Sequence, residues 1–259
     1  MKALALAAGL MLGSAPAEAA CRLALALGLD VSGSVNAAEY ALQRTGLAAA
    51  LGHPDVTSAL FAQPDLHVRI AVYEWSGPGH QQVVIGWTAI TDRAVLDRVI
   101  ARLARIDPGE DGARRRDLST ALGTAMQTGA GLLDQQGDCW RRKLDISGDG
   151  KQNTGPHPRD MRAALQGRGI TINALAIGAD NPVAGDIRMV EISELVSYFQ
   201  AWVIMGPDAF VETALGFPDF EAAMVRKLRR EMESPVLSWT DGTGPGEPMI
   251  RMPQFRLSQ

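Results

Sequence analysis

The sequence predicts an α/β fold: a doubly wound, mostly parallel six-stranded sheet with one antiparallel edge strand and helices on both faces. Three observations carry this reading. Strand-like runs alternate with runs of helical spacing along most of the chain, the pattern of a sheet covered on both sides by helices. Leu23 to Leu29 is apolar without interruption, as in a strand buried on both faces. Two strand-like runs, Val68 to Trp75 and Gln82 to Thr88, flank the turn sequence Ser76-Gly77-Pro78-Gly79. They read as a hairpin, which makes the second an antiparallel edge.

The elements follow in order. After the first strand, Asn36 caps a helix that runs to about Leu51. A loop rich in Pro, Asp and His leads to His67, and the hairpin follows. Val95, Leu96, Val99, Ile100 and Leu103 recur at helical spacing between Asp92 and Arg105. Residues 107–117 form a polar loop, and Thr120 sits at the start of a helix reaching Leu133. Lys143 to Ile146 is a fourth strand, Pro158 to Gln166 a helix, and Ile170 to Ile177 a fifth strand. Ile187 to Phe199 is helical, Trp202 to Met205 a short final strand, and Asp208 to Leu215 a short helix. The last helix is Phe220 to Met232, with Lys227, Arg229 and Arg230 near its negative end.

A chain of 259 residues can bury one large core. With 46% hydrophobic and 21% charged residues it has the composition of a globular domain. Its net charge is −4, and no basic stretch interleaved with aromatics is visible, which argues against nucleic acid as a partner. Arg114-Arg115-Arg116 reads as a solvated loop.

Residues 1–20 read as a signal peptide. Met1-Lys2 gives a positive start, Ala3 to Leu12 an apolar stretch, and Ala17-Glu18-Ala19 a small-x-small cleavage pattern. The stretch is shorter than the roughly 20 residues a membrane span needs. No later run is long and apolar enough to anchor the chain. The protein is therefore expected to be exported, periplasmic or secreted. A lipidated Cys21 is the competing reading, opposed by Glu18 where an apolar residue belongs. The folded domain is expected over residues 21–233. Residues 234–259, with Asp241-Gly242-Thr243-Gly244-Pro245-Gly246, read as a flexible tail.

An exported protein with two cysteines, Cys21 and Cys139, favours a disulfide between them. Cys21 lies nine residues before Asp30, and Cys139 ten before Asp149. If those two acids end adjacent parallel strands, ~4.8 Å apart, the cysteines meet near the other end. Two separate thiols are the alternative.

Three distant stretches carry hard oxygen donors. The first is Asp30-Val31-Ser32-Gly33-Ser34, a D-x-S-x-S sequence at the end of a buried strand. The second is Thr120, and the third Asp149 in Ser-Gly-Asp-Gly after another strand. Open α/β sheets bind ligands beyond the carboxyl ends of their strands, where Asp30 and Asp149 both fall. Two carboxylates and three hydroxyls suit Mg²⁺, Mn²⁺ or Ca²⁺ and suit soft metals poorly. An ordinary turn and an ordinary loop would not explain why both acids sit at strand ends in this order.

These pieces, in this order and with the hairpin between the first two, resemble a von Willebrand factor type A domain with a metal-ion-dependent adhesion site. The resemblance covers roughly Leu23 to Met232. More narrowly, Ala71-Val72-Tyr73-Glu74-Trp75-Ser76-Gly77, Cys139-Trp140-Arg141, Asp145-Ile146-Ser147-Gly148-Asp149-Gly150 and Arg226-Lys227-Leu228 resemble the bacterial exported family DUF1194. The first resemblance implies that Ser32 and Ser34 coordinate a metal directly. Thr120 would do so directly or through water, and Asp30 and Asp149 largely through bound waters. It also implies a vacant coordination position that takes an Asp or Glu carboxylate of a partner protein. The second carries no established activity.

Other residues read as structural. Asp145, inside a strand, needs a partner such as an Arg. Glu74 is mid-strand, and Asn153 serves a turn or the rim of the site. His53, His67, His80 and His157 are scattered in loops without metal-ligand spacing, which argues against Zn²⁺. Trp75, Trp87 and Trp140 read as core or edge packing. The expected function is an exported, metal-dependent protein-binding module that is not an enzyme. A metal-independent scaffold is the alternative, and a metal-dependent hydrolase a weaker one. The hydrolase lacks a free general base in these loops and a nucleophile elbow.

Overall fold

The computed structural model describes residues 19–106, 117–178 and 186–233. The signal segment up to residue 18, the Arg114-Arg115-Arg116 run and the tail 234–259 lie outside the described residues.

Six strands form one sheet: β1 (Ala20–Asp30), β2 (Leu66–Trp75), β3 (Gln81–Ile90), β4 (Arg142–Gly148), β5 (Thr171–Ile177) and β6 (Val211–Ala214). Their order is β3-β2-β1-β4-β5-β6. Only β3 runs antiparallel to its neighbour, at one edge. The hairpin turn makes that unavoidable, because a short connection cannot return a strand in parallel. Helices α1 (Ala37–Gly52), α2 (Pro54–Leu60), α3 (Arg93–Arg105), α4 (Leu122–Asp134), α5 (Pro158–Leu165), α6 (Asp186–Trp202) and α7 (Phe220–Met232) cover both faces.

Strand β1 shows how one sequence serves both faces. Leu23, Leu25, Leu27 and Leu29 enter the core formed with α1, α2, α3 and α7. Ala24 and Ala26 enter the other, with α4, α5 and Phe199 of α6. Successive side chains alternate across a strand, so a continuous apolar run feeds two cores at once. Each fully buried leucine contributes about 1.5–3 kcal/mol.

Three elements differ from the sequence reading. The segment before β2 contains α2, because Pro54 stands at the first helical turn, where it starts a helix rather than breaking one. The final strand is β6, not Trp202–Met205. Helix α6 runs on through Trp202, and Met205 makes only an isolated bridge to Ile172. Asp208–Leu215 is not a helix. Gly206 turns the chain with φ +95°, and Val211–Ala214 then pairs with Ala174–Ile177. Alanine and glutamate favoured a helix there. Val211 and Thr213 suit the sheet edge, and Arg226 of α7 holds Glu212 at 2.9 Å.

The disulfide joins Cys21 on β1 to Cys139 just before β4, with Cα atoms 4.6 Å apart. Beside it, Trp140 N–H donates to the Cys21 carbonyl at 3.0 Å. Arg22 is buried and donates to the carbonyls of Met232 and Ala59, so the beginning of β1 and the end of α7 meet at one pole.

A buried charge cluster fastens α7 to the sheet. Lys227 lies 3.1 Å from both Asp145 of β4 and Glu231, and Lys143 lies 3.0 Å from Glu231. Asn173 of β5 donates to Glu231 at 2.6 Å. The partner of Asp145 is thus a lysine rather than an arginine. Glu74 accepts a hydrogen bond from Tyr40, a structural contact between β2 and α1. His67 is buried on β2 rather than in a loop. Trp75 is fully buried and Trp87 half-buried at the edge, but Trp140 is 66% exposed and packs in neither core.

Candidate metal centre

Strand β1 ends at Asp30, and the loop Val31–Asn36 turns the chain into α1. Asn36 caps that helix by accepting from Ala38 and Glu39 N–H, while Glu39 accepts from Asn36 N–H. This capping box fixes the exit of the loop. Its entrance is fixed by Val31 N–H on the Trp75 carbonyl and by the buried Gln43 amide on the Asp30 carbonyl.

Within this frame the side chains converge. Asp30 is fully buried, and its Oδ1 accepts from Ser32 N–H at 2.8 Å. The Ser32 and Ser34 hydroxyl oxygens are 3.2 Å apart, and Ser34 donates to Asp149 Oδ1 at 2.7 Å. A Cβ on Gly148 would sit 3.2 Å from Asp30 Oδ2, so the Asp30 side chain reaches over the end of β4, next to Asp149.

Thr120 arrives from the loop before α4. It lies two residues ahead of the helix rather than within it. That loop is pressed against the first: Gly33 N–H donates to the Leu118 carbonyl at 3.0 Å. A Cβ on Gly33 would stand 2.8 Å from the same oxygen, so the close approach needs glycine. Asn153, four residues past Asp149, grips Thr120 from the other side. Its Oδ1 accepts from Thr120 N–H at 2.8 Å, and its own N–H donates to the Thr120 carbonyl at 3.0 Å. Gln152 accepts from Gly123 N–H at the start of α4. Tyr73 donates to the Ala125 carbonyl and sets α4 against the sheet.

The electrostatics are unbalanced. Burial, then the neighbouring Asp149, push the Asp30 carboxyl up to about 8, against the pull of its Ser32 hydrogen bonds. Burial also raises Asp149, opposed by the Ser34 hydrogen bond. Among the described residues neither acid forms an ion pair with a lysine or arginine. Asp30 Oδ2 is buried and makes no hydrogen bond of ordinary geometry, with only the Asp149 N–H helping to offset the burial from beyond β4. A carboxylate in that position is costly unless a cation joins it.

A divalent cation fits this donor set. Every converging group is a hard oxygen. The 3.2 Å between the two serine hydroxyls lies close to the roughly 3.0 Å that separates neighbouring ligands of an octahedral ion bound at ~2.1 Å. No cluster of three His, Cys, Asp or Glu occurs among the described residues, so the site depends on hydroxyls.

Two residues have larger roles than their sequence positions suggest. Asn153, expected at a turn or rim, clamps Thr120 from both backbone sides. Gln43 has no motif around it, but a polar residue among the buried Ala and Leu positions of α1 signals a specific partner.

The family model described as "Protein of unknown function (DUF1194)" matches residues 20–236. The chain belongs to the DUF1194 family. No curated protein matches it in sequence. Solved structures show that this DUF1194 protein has the von Willebrand factor type A fold. It is similar to the pilus adhesin SpaC from Lactobacillus rhamnosus GG, with TM-score 0.55 and 13% identity over 82% of this chain and 30% of that one. Proximal thread matrix protein 1 of the mussel byssus, with a zinc-occupied MIDAS motif, gives TM-score 0.53 and 15% identity over 83% of this chain and 47% of that one. A von Willebrand factor type A protein from Catenulispora acidiphila gives 0.52 and 15% over 82% and 43%. The DUF1194 chain thus spans less than half of each of these structures.

Proposed function

We propose that this protein is an exported binding module that holds a partner protein through a divalent cation at the carboxyl end of its sheet. The observation that carries the reading is the buried Asp30 oxygen beside Asp149, with serine hydroxyls next to both and, among the described residues, no lysine or arginine paired with either acid. Ser32 and Ser34 would ligate the ion through their hydroxyls, Thr120 directly or through water, and Asp30 and Asp149 largely through bound waters. Two carboxylates balance the charge of a divalent ion, and hydroxyls add none. The ion would then retain affinity for an anionic oxygen from outside, an Asp or Glu of the partner. Mg²⁺ is the first candidate, with Mn²⁺ and Ca²⁺ also compatible with the donors.

The disulfide supports an oxidising, extracytoplasmic location, periplasmic or secreted. No described helix is long and apolar enough to cross a membrane. The pilus adhesin and the byssus matrix protein are adhesion and matrix proteins by name, which supports binding rather than turnover.

The test is affinity capture from an envelope extract on the immobilised chain, with Mg²⁺ and with EDTA. A partner retained with the metal and released by the chelator is expected. Its loss with Asp149→Ala, and its competition by acidic peptides, are expected too. Capture that EDTA leaves unchanged overturns the reading.

A further inference from the structure

We propose that the cleft at the pole opposite the metal loops binds a small organic anion, an oxyanion carried on a flat or apolar body. The cleft has a volume of about 1190 Å³, opens to solvent, and lies between the starts of β4 and β5, helix α5, the end of α6 and the turn at Gly206. Strand β4 separates it from Asp149 by seven residues, roughly 20 Å. It is therefore a second site, independent of the ion.

Its charge is the first argument. The chain as a whole carries −4. Yet among the described residues Arg141, Arg142, Lys143, Arg159, Arg162 and Arg230 line this one cleft, against Asp208 and Glu233. Lys143 is neutralised by the buried Glu231. Arg141 also feels Glu231. The other arginines are not neutralised in the same way. Arg142 and Arg162 donate to the main-chain carbonyls of Arg168 and Ala201. Carbonyl oxygens fix the direction of a guanidinium and leave its positive charge in place. Asp134 approaches Arg142 only at 3.9 Å and is already engaged by Arg168. The one carboxylate that Arg159 meets among the described residues is its exposed sequence neighbour Asp160, a contact of little worth in water. Arg230 stacks 3.8 Å above the Phe210 ring and meets no carboxylate among the described residues. Guanidinium forks held apart from carboxylates match the paired oxygens of a carboxylate or phosphate.

The aromatic side chains are the second argument. Trp140 is 66% exposed and Trp202 36% exposed, and both face the same cleft as Phe210. Arg159 lies over the Trp202 ring at 5.9 Å. Open indole faces beside fixed guanidiniums offer a flat group somewhere to stack while its oxyanion is gripped. Tryptophan and arginine are also the residues that dominate binding energy in buried contacts. The concave shape of the cleft favours a small ligand over a polymer draped on a flat surface.

The experiment is calorimetric titration of the full chain in EDTA, which removes any dependence on the metal site. The probes are indole-3-acetate and phenyl phosphate, which separate a carboxylate from a phosphate source, with indole-3-acetamide, inorganic phosphate and heparin as comparisons. At least one aromatic anion should bind with a dissociation constant below about 1 mM, weakening as salt is raised. Indole-3-acetamide and inorganic phosphate should each bind about tenfold more weakly or worse, since each lacks one half of the recognition. The double variant Arg159→Gln/Arg230→Gln alters two exposed side chains. It should lose about tenfold in affinity for the anion while keeping its thermal midpoint and any Mg²⁺ response. Trp140→Ala should weaken the aromatic anions and leave inorganic phosphate unchanged. The proposal is overturned if neither aromatic anion binds, or if the acetamide binds as well as the acetate. It is also overturned if both variants bind like wild type, or if heparin alone binds, which would make the cleft a diffuse polyanion surface.

Discussion

Replacing Asp30 by Asn separates the two contributions of this carboxyl to stability. The side chain keeps its size and its acceptor for Ser32 N–H, but the buried charge is gone. In the metal-free chain no lysine or arginine among the described residues pairs with it, and burial pushes the group up to about 8. At pH 7 the unfolded carboxyl is ionised and the folded one must take up a proton, which opposes folding by several kcal/mol if the whole shift is expressed. Asp30→Asn should raise the metal-free thermal midpoint. Relief of even ~1 kcal/mol moves a domain of this size by about 2–4 °C. With wild type, Mg²⁺ at a hundred times its dissociation constant adds about 2.7 kcal/mol, a rise of roughly 5–10 °C. The variant should show none of that rise. The assay is differential scanning calorimetry at pH 7, with EDTA and then with a Mg²⁺ series, repeated with Mn²⁺, Ca²⁺ and Zn²⁺. A variant whose midpoint still climbs with the ion refutes the reasoning, and so does one whose metal-free midpoint drops by several degrees.

Asn153→Ala removes the acceptor that holds Thr120 N–H, so divalent-ion affinity by titration should fall about tenfold with the circular dichroism spectrum unchanged. Gly33→Ala drives a methyl to 2.8 Å from the Leu118 carbonyl; it should weaken the ion more than it weakens the fold, measured as a smaller Mg²⁺-induced shift. Lys227→Met strands Asp145 and Glu231 without their shared cation, and chemical denaturation should show a loss of about 3–5 kcal/mol. Cys21→Ser/Cys139→Ser opens a loop with sequence separation 118, and the midpoint in denaturant should fall by the equivalent of about 4–5 kcal/mol. An unchanged midpoint would mean the denatured chain is already held compact by other contacts.

The sheet and most of its helices were legible because their signals are local. Leu23–Leu29 has no polar interruption, the 76–79 turn sits between two β-branched runs, and Asn36 is a helix cap ahead of a run filled with Ala, Leu and Glu. The region from Trp202 to Leu215 was misread because its pairing is set from afar. Four residues with mixed propensity become β6 only because β5 offers an open edge and Arg226 of α7 takes up Glu212. The five oxygen-bearing residues of the proposed metal site were visible as motifs, Asp30, Ser32 and Ser34 after β1 and Asp149 after β4, with Thr120 ahead of α4. The grip of Asn153 on Thr120 was not, since a backbone-directed clamp leaves no spacing rule. The basic cleft was invisible for the same kind of reason. Arg141, Arg159 and Arg230 are scattered along an acidic chain, and only the winding of the sheet collects them. The fold also reversed the expectation for Trp140, which sequence composition alone would bury.

Arg22 ties the start of β1 to the end of α7, and the bridge from Cys21 to Cys139 locks that start to the run-up to β4. Anything joined ahead of Ala20 or beyond Glu233 is thus leashed to a single end of the layered body of helices and sheet, while the loops carrying Ser32, Ser34 and Asp149 lie at the other. A tug along such a leash would load a covalent staple and a central strand in shear, sparing the grip itself from being peeled open.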